Sequence, residues 1–361
     1  MLKKTLLGML AFTCLLPTAY AQEPQVITST IEITPKNIAA AASPTTKTVY
    51  LMRMHLNADQ KANLHKSRNN TPLPTIAAID NSRLPKSVFI GMNGVPVLDQ
   101  GSHGACVTFA VTAALDAVLG KGDYISQLCN LELGSYLAKE GYGYSGWEGA
   151  MPEYVLHQIL TFGIINKQNQ TEATCADVST YPLLDAKNKG SPMSLEAFKT
   201  LSENINDVVQ TKPILSGVDS FNLTHDELSD VVTKIKEELV NEEKRSSDNR
   251  IVFSSFLPVN HCSAGACGRY QSKDDAWVLS TPIQNDPADW YEAGHEMIII
   301  GYNDNAVAID REGKLHRGLF TLRNSWSNEA GDNGDYYMSY DFFEKFVIDV
   351  NLIMGTVSNP F

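Results

Sequence analysis

Cys106 opens an apolar run in the stretch QGSHGACVTF, with Gln100 six residues before it. Far along the chain stand His295 and the triplet Asn324–Ser325–Trp326. These residue types can build one nucleophilic site. A free thiol is only a few per cent ionised at neutral pH. A neighbouring imidazole and a helix N-terminus convert much more of it to the reactive thiolate. The glutamine amide can donate to the oxyanion that forms when the thiolate attacks a carbonyl. An asparagine can hold the plane of the imidazole without adding a carboxylate, which suits a thiolate–imidazolium pair.

The order Gln, Cys, His, Asn-Ser-Trp resembles that of the papain-like (C1) cysteine peptidases. The residues that carry the resemblance are Gln100 and Cys106 in QGSHGAC, His295 in GHEMIIIGY and Asn324 in RNSWSNEAGDNGDYY, within a stretch from about Leu84 to about Phe343. It implies an α+β, two-lobed fold. A helical lobe would carry Cys106 on a central helix, a β-barrel-like lobe would carry His295 and Asn324, and the cleft would lie between them. It implies catalytic roles for Cys106, His295, Asn324 and Gln100, with Trp326 shielding the His–Asn contact from water. An extended peptide would take backbone hydrogen bonds from Gly149, in the pair Gly149–Ala150. Met151, Ala293 and Glu296, around Gly294, would form the main specificity pocket. No cofactor or metal is called for.

Three departures from the family pattern stand out. Val107 follows the thiol where the family has Trp. His103 stands where the family has a cysteine, and the position of that cysteine's usual partner falls on Trp147, so both halves of one family disulfide are absent together. The Cys106-to-His295 spacing is 189 residues, against about 130–150 in the papain and cathepsin pattern. The excess is expected mostly between Tyr181 and Arg250, with a smaller insert at Asn303 to Arg317.

At the N-terminus, Lys3 and Lys4 precede the apolar run Leu6 to Leu16, and Ala19–Tyr20–Ala21 follows. This reads as a secretory signal cleaved between Ala21 and Gln22, giving a secreted or periplasmic protein. The run is too short to span a bilayer, and no other apolar stretch is long enough. Cys14 would leave with the signal. Cys129, Cys175, Cys262 and Cys267 then remain beside the nucleophile, and four cysteines allow three pairings. Cys262 and Cys267 flank a four-residue loop and could close locally, which favours Cys129–Cys175 as the second bridge. Free thiols are the alternative. A formal charge of −12 disfavours nucleic acid or an anionic membrane as partner.

Residues 22 to about 83 differ from the rest. Val26–Thr34 alternates apolar and polar residues, and Thr48–Leu56 is a second β-prone run, so a hairpin is expected across the Ala- and Ser-rich stretch Pro35–Pro44. Asn57–Ser67 reads as a short helix, with Asn57 as N-cap and Gln60 as its capping-box partner. Arg68–Pro85 is linker-like. Two strands and one helix cannot bury a core alone and must dock. Family propeptides lie in the cleft, and although the helical propeptide pattern of the cathepsin group is not visible here, position and the lack of a core of its own make this segment an expected prosegment covering Cys106, anchored by Met52, Met54, Leu56 and Leu64, with a permanent structural or attachment arm as the alternative.

Beyond it, Cys106–Leu119, Leu131–Lys139, Pro152–Phe162 and Thr224–Glu243 read as helices, the last opened by the capping box Thr224-x-x-Glu227. Arg250–Phe256, Ala276–Ser280, Glu296–Tyr302, Gly318–Arg323 and Asp335–Ser339 read as strands. Helices first and strands later is an α+β pattern. The expected partners are a peptide substrate and the chain's own prosegment. A catalytically silent binding module, or an amide- or acyl-transfer enzyme acting on cell-wall peptide, would share the fold. The complete Gln, Cys, His and Asn set favours a peptidase.

Overall fold

Thirteen of the fourteen residues of the helix Cys106–Leu119 are buried, because CVTFAVTAALDAVL is apolar on every face. A helix of that kind has to run through the middle of a molecule. In this computed structural model the described residues are 27–33, 46–54, 56–69, 84–184, 189–244, 249–286 and 293–356. The expected export signal, the Pro35–Pro44 connection and most of the Arg68–Pro85 linker lie outside them. Among the described residues no helix is long and apolar enough to cross a membrane.

In chain order the elements are β1 (Ile27–Ile33), β2 (Lys47–Arg53), α1 (Ala58–Asn69), β3 (Ser87–Phe89), α2 (Cys106–Leu119), α3 (Gln127–Lys139), α4 (Pro152–Phe162), α5 (Lys167–Ala173) and α6 (Leu195–Leu201). There follow β4 (Val209–Leu215), α7 (Gly217–Ser220), α8 (His225–Lys244), β5 (Asn249–Leu257), β6 (Gly268–Arg269), β7 (Ala276–Trp277) and α9 (Thr281–Asn285). The chain continues with β8 (Ala293–Asp310), β9 (Leu315–Arg323), β10 (Asp335–Ser339), α10 (Tyr340–Phe346) and β11 (Val347–Gly355). The expected α+β class is what the chain adopts.

The sheet runs β4-β11-β5-β8-β6-β7-β10-β9, and β9 pairs back onto β8. The second half of this path therefore closes on itself as a small barrel. β5 and β8 are covered on both faces, which is why they read as unbroken apolar runs. Ile251, Phe253, Met297 and Ile299 enter one core, with α8 and α10, while Val252, Ile298 and Ile300 enter a second core built around α2, α3 and α4. Two cores on the two faces of one sheet make the two lobes.

Several boundaries differ from expectation. β8 runs for 18 residues, and Asn303–Arg317, expected as an insert, continues it through a turn into β9. Ala276–Ser280 keeps strand form only at Ala276–Trp277, because Ser280 turns to cap α9. The extra chain between Tyr181 and Arg250 holds α6, β4, α7 and α8. β4 was not legible as a strand because Pro213 interrupts it, and it lies at the sheet edge, where a missing N–H is tolerated. β11, beyond the resemblance, lies between β4 and β5. Disulfides join Cys129 to Cys175 and Cys262 to Cys267, and Cys106 is the free cysteine among the described residues.

The N-terminal hairpin forms, with β1 antiparallel to β2. α1 opens with the reciprocal capping box: Asn57 N–H donates to Gln60 Oε1 and Gln60 N–H to Asn57 Oδ1, each at 2.9 Å. Ile31, Ile33, Val49, Leu51 and Leu64 are all buried in the same core as β5 and α8. The segment has no core of its own and shares that of the body.

Candidate active site

Ala105 caps α2 without a side-chain acceptor. The first N–H groups of the helix, which have no intrahelical partner in any α-helix, therefore receive no N-cap side chain either, and they point at the end where Cys106 sits. β8 carries Gly294, His295 and Glu296 to the same place. Cys106, Val107, Gly149, Ala150, Met151, Gly294, His295 and Glu296 line one small cavity, which Met52 and Met54 of the N-terminal segment close. Cys106 and His295 are each 1% exposed.

The proton positions on the imidazole follow from its neighbours. The backbone N–H of Ser325 donates to Asn324 Oδ1 at 2.7 Å, so that oxygen is an acceptor. His295 Nε2 lies 2.9 Å from the same oxygen and must carry a proton. In the neutral ring Nδ1 is then bare, and Nδ1 has no hydrogen-bond partner among the described residues. Trp326 stacks on the imidazole, with centroids 4.6 Å apart. Burial pushes the thiol up to about 12. Burial also pushes the imidazole down to about 4, against the opposing pull of its hydrogen bond to Asn324. Both partners are neutral in this covered state.

Gln100 is fully buried beside them. Its Nε2 donates to His103 O at 2.8 Å, which leaves one amide hydrogen, and its Oε1 accepts from Ser325 Oγ at 2.7 Å. Gln100 N–H donates to Ser325 O, and Asp99 bridges to Trp326, so the loop before the thiol is tied to the loop after Asn324.

His103 takes no part in the cavity. Its Nε2 sits 2.5 Å from Pro182 O, and its ring meets Trp147 edge-on at 4.9 Å and Tyr181 at 5.7 Å. Trp147 and Tyr181 stack at 5.6 Å. An aromatic cluster thus joins the two positions where the family pattern has a disulfide.

The N-terminal segment enters this site through β2. Met52 pairs with Gly294 and Arg53 with Ala293 along the edge of β8. On the other side, Tyr50 N–H donates to Ser102 O at 3.1 Å, and Lys47 pairs with Asp99. Met52 packs directly on Gly149. α1 does not cover the thiol as expected. It docks further along, where Arg68 donates to the carbonyls of Ser220, Glu344 and Lys345. Leu64 is buried there, and Leu56 packs against the same core.

Ala293 is buried in the sheet-side core and is not among the residues lining the cavity. Ser254 and Ile348 line it instead. A signal for Ser254 was present: it is polar inside the apolar run IVFSSFL, and such a residue in a strand covered on both faces needs a partner.

No family model matches the chain, and no curated protein matches it in sequence. Its structure is similar to that of xylellain, a cysteine protease from Xylella fastidiosa, at 18% identity and TM-score 0.45, covering 91% of this chain and 98% of that one. It is also similar to digestive procathepsin L 3 from the larval midgut of Tenebrio molitor, at 16% identity and TM-score 0.43, covering 81% and 78%. Bromelain from Ananas comosus in complex with the E64 inhibitor is similar at 17% identity and TM-score 0.42, covering 74% and 98%. Likeness at this level says nothing of activity, which the site's own geometry has to carry.

Proposed function

We propose that this chain is an exported cysteine peptidase made as a latent precursor, with residues 22–83 as its prosegment and 84–361 as its catalytic domain. One observation carries the proposal. The hydrogen bonds of Asn324 fix the proton of His295 on Nε2, which leaves Nδ1 bare in the cavity that also holds Cys106.

With the cleft open to substrate, Cys106 gives its proton to His295 Nδ1, and the thiolate attacks the peptide carbonyl carbon. The oxyanion takes hydrogen bonds from the remaining Gln100 amide hydrogen and from the N–H groups at the start of α2. Collapse breaks the C–N bond as the imidazolium protonates the leaving amine. Water then attacks the thioester, passing a proton to His295, and the acid leaves as the thiol reforms. Trp326 keeps water from the His295–Asn324 hydrogen bond. Gly149 supplies backbone hydrogen bonds to the substrate, and Ala150, Met151, Gly294 and Glu296 line the pocket beside it.

The latent state rests on β2. It occupies the edge of β8 next to His295, and its Met52, with Met54 just beyond its end, seals the thiol. Two disulfides agree with export.

The test compares a chain starting at Gln22 with one starting near Leu84, by epoxide labelling of the thiol and by peptide hydrolysis. Rapid labelling and turnover in the short chain alone is expected. Equal activity in both, with the short form folded, would remove the latent-precursor proposal. Labelling without turnover of any peptide would favour an acyl-transfer enzyme, and neither labelling nor turnover a silent binding module.

A further inference from the structure

Every polar group of Gln100 except one amide hydrogen has a partner. Its N–H donates to Ser325 O, and its Oε1 accepts from Ser325 Oγ. Its backbone carbonyl accepts from Tyr181 Oη at 2.8 Å. One amide hydrogen goes to His103 O at 2.8 Å, and the other is the one left for an oxyanion. The direction of that last hydrogen therefore depends on two anchors away from the Asn324 loop, Tyr181 and His103.

Both anchors belong to one clamp, in which three consecutive residues hold the loop 100–103. Tyr181 Oη donates to Gln100 O, and Leu183 O accepts from Ser102 N–H at 2.8 Å. Pro182 O lies 2.5 Å from His103 Nε2, and a carbonyl can only accept, so Nε2 carries the proton. The fit is close: a Cβ on Gly101 would lie 1.9 Å from Leu183 O, and one on Gly104 would lie 2.6 Å from the Glu148 backbone. The Tyr181 ring stacks on Trp147 and meets Phe109 of α2 edge-on at 5.0 Å. Burial pushes its phenol up, and Asp99 adds to the effect, so Oη keeps its proton and stays a donor. Upstream, the Cys129–Cys175 disulfide and the hydrogen bond from Gln170 Nε2 to Ser179 O tie the approach to Tyr181 to α3 and α5. Where the family pattern has a covalent bond at His103, this clamp stands instead.

We propose that Tyr181, together with His103, is a positioning residue for the oxyanion donor: it fixes the Gln100 backbone so that the free amide hydrogen points at the carbonyl oxygen under attack. This rests on the peptidase reading and adds to it a residue that touches neither the thiol nor the substrate. Without Tyr181 Oη the Gln100 carbonyl loses its partner. The peptide unit between Gln100 and Gly101 is then free to turn, because glycine tolerates many backbone settings. Ser325 still holds Oε1, so the side chain stays buried while its aim is lost. A donor stabilises an oxyanion only at the right distance and direction. The loss therefore falls on the charged transition state and spares the bound ground state.

The test uses the full chain, opened by limited proteolysis and titrated with an epoxide inhibitor so that rates refer to active thiol. Tyr181→Phe removes one hydroxyl and keeps the ring. Its kcat on a fluorogenic peptide should fall about tenfold with KM unchanged, part of the roughly hundredfold or more that loss of an oxyanion donor costs. Alkylation by iodoacetamide forms no oxyanion, so its rate against pH should match the parent's. In a Gln100→Ala background the same Tyr181→Phe change should cost nothing further, because the group it aims is gone. His103→Ala should lower kcat in the same way, and His103→Gln, which keeps a donor, should recover part of it. An unchanged kcat in Tyr181→Phe would overturn the proposal and leave the peptidase reading standing. So would an equal loss with and without Gln100, a loss confined to KM, or a shifted alkylation profile, each of which assigns the hydroxyl to general structure. Epoxide labelling of the parent with no peptide turned over would overturn both.

Discussion

Met52 lies against Gly149 so closely that a Cβ built on the glycine would overlap the Met52 side chain. Gly149 has φ +142°, a backbone that other residues rarely adopt. The absent side chain on the body and the methionine on the hairpin are one fitted contact, and through it β2 lies over the thiol.

Met52→Asp places an unpaired charge in that contact. The full chain should then hydrolyse peptide at least about tenfold faster than the parent, because the buried carboxylate disfavours the covered state. The check is initial-rate hydrolysis by uncleaved protein, verified by gel. An unchanged rate would mean that Met52 does not hold the cover.

The buried thiol sets a second expectation. With its pKa near 12 in the covered chain, alkylation by iodoacetamide should be slow at neutral pH and still rising beyond pH 9. After removal of residues 22–83 the rate should level off at a much lower pH, since the desolvation is gone and an imidazolium can form beside the thiol. Matching pH profiles for the two forms would sink the idea that covering keeps the site neutral.

Asn324→Ala removes the acceptor that fixes the His295 tautomer. The thiol should remain alkylatable, while kcat falls on the order of a hundredfold, the lower end of what a positioned acid–base group supplies. A change confined to KM would argue that Asn324 serves substrate binding instead.

Asp349 gives a stability prediction with a definite sign. Its carboxyl is raised from 3.8 to about 7. The folded chain therefore holds a proton that the unfolded chain releases across that window. The stability it contributes is present at low pH and lost as pH rises from about 4 to about 7. Asp349→Asn does not titrate, so its melting temperature relative to the parent should climb between pH 4 and pH 8. A flat difference would show that Asp349 is ionised throughout.

The two disulfides close loops of different size, with sequence separations of 46 for Cys129–Cys175 and 5 for Cys262–Cys267. Chain entropy assigns about 4 kcal/mol to the first and about 2 kcal/mol to the second. Replacing Cys129 and Cys175 by Ser should lower the denaturation midpoint more than replacing Cys262 and Cys267, measured by urea unfolding.

The residues now gathered around the thiol were mostly legible in the sequence, because each belongs to a short local pattern. Cys106 follows Gln100 at the head of an apolar helix, and His295 and Asn324 stand at the start of one strand and the end of another. α8 and α1 were legible because Thr224–Glu227 and Asn57–Gln60 close capping boxes within four residues. What escaped depends on pairing across distance. Asp349 meets Ser254 only because β11 lies beside β5, and nothing local to VIDVNLI announces that neighbour. β4 hid behind Pro213 because only its edge position makes a proline acceptable there. Ala293 was expected in the pocket from its place beside His295, but the packing of β8 sends it into the core.

The hydrogen bonds between Gln100 and Ser325, with the Asp99–Trp326 bridge, join the wall of the nucleophile to the wall of the imidazole at one end of the cleft. That end is a seam. The lobes cannot swing apart there without breaking buried bonds that also position Gln100. A strand lying in the groove must then leave by peeling along its own length, one residue pair at a time, starting from an end. On the latent-precursor proposal, unmasking becomes an unzipping process, its barrier divided among the Lys47, Tyr50 and Met52 contacts. Where the strand is first cut decides which of these has to give way first.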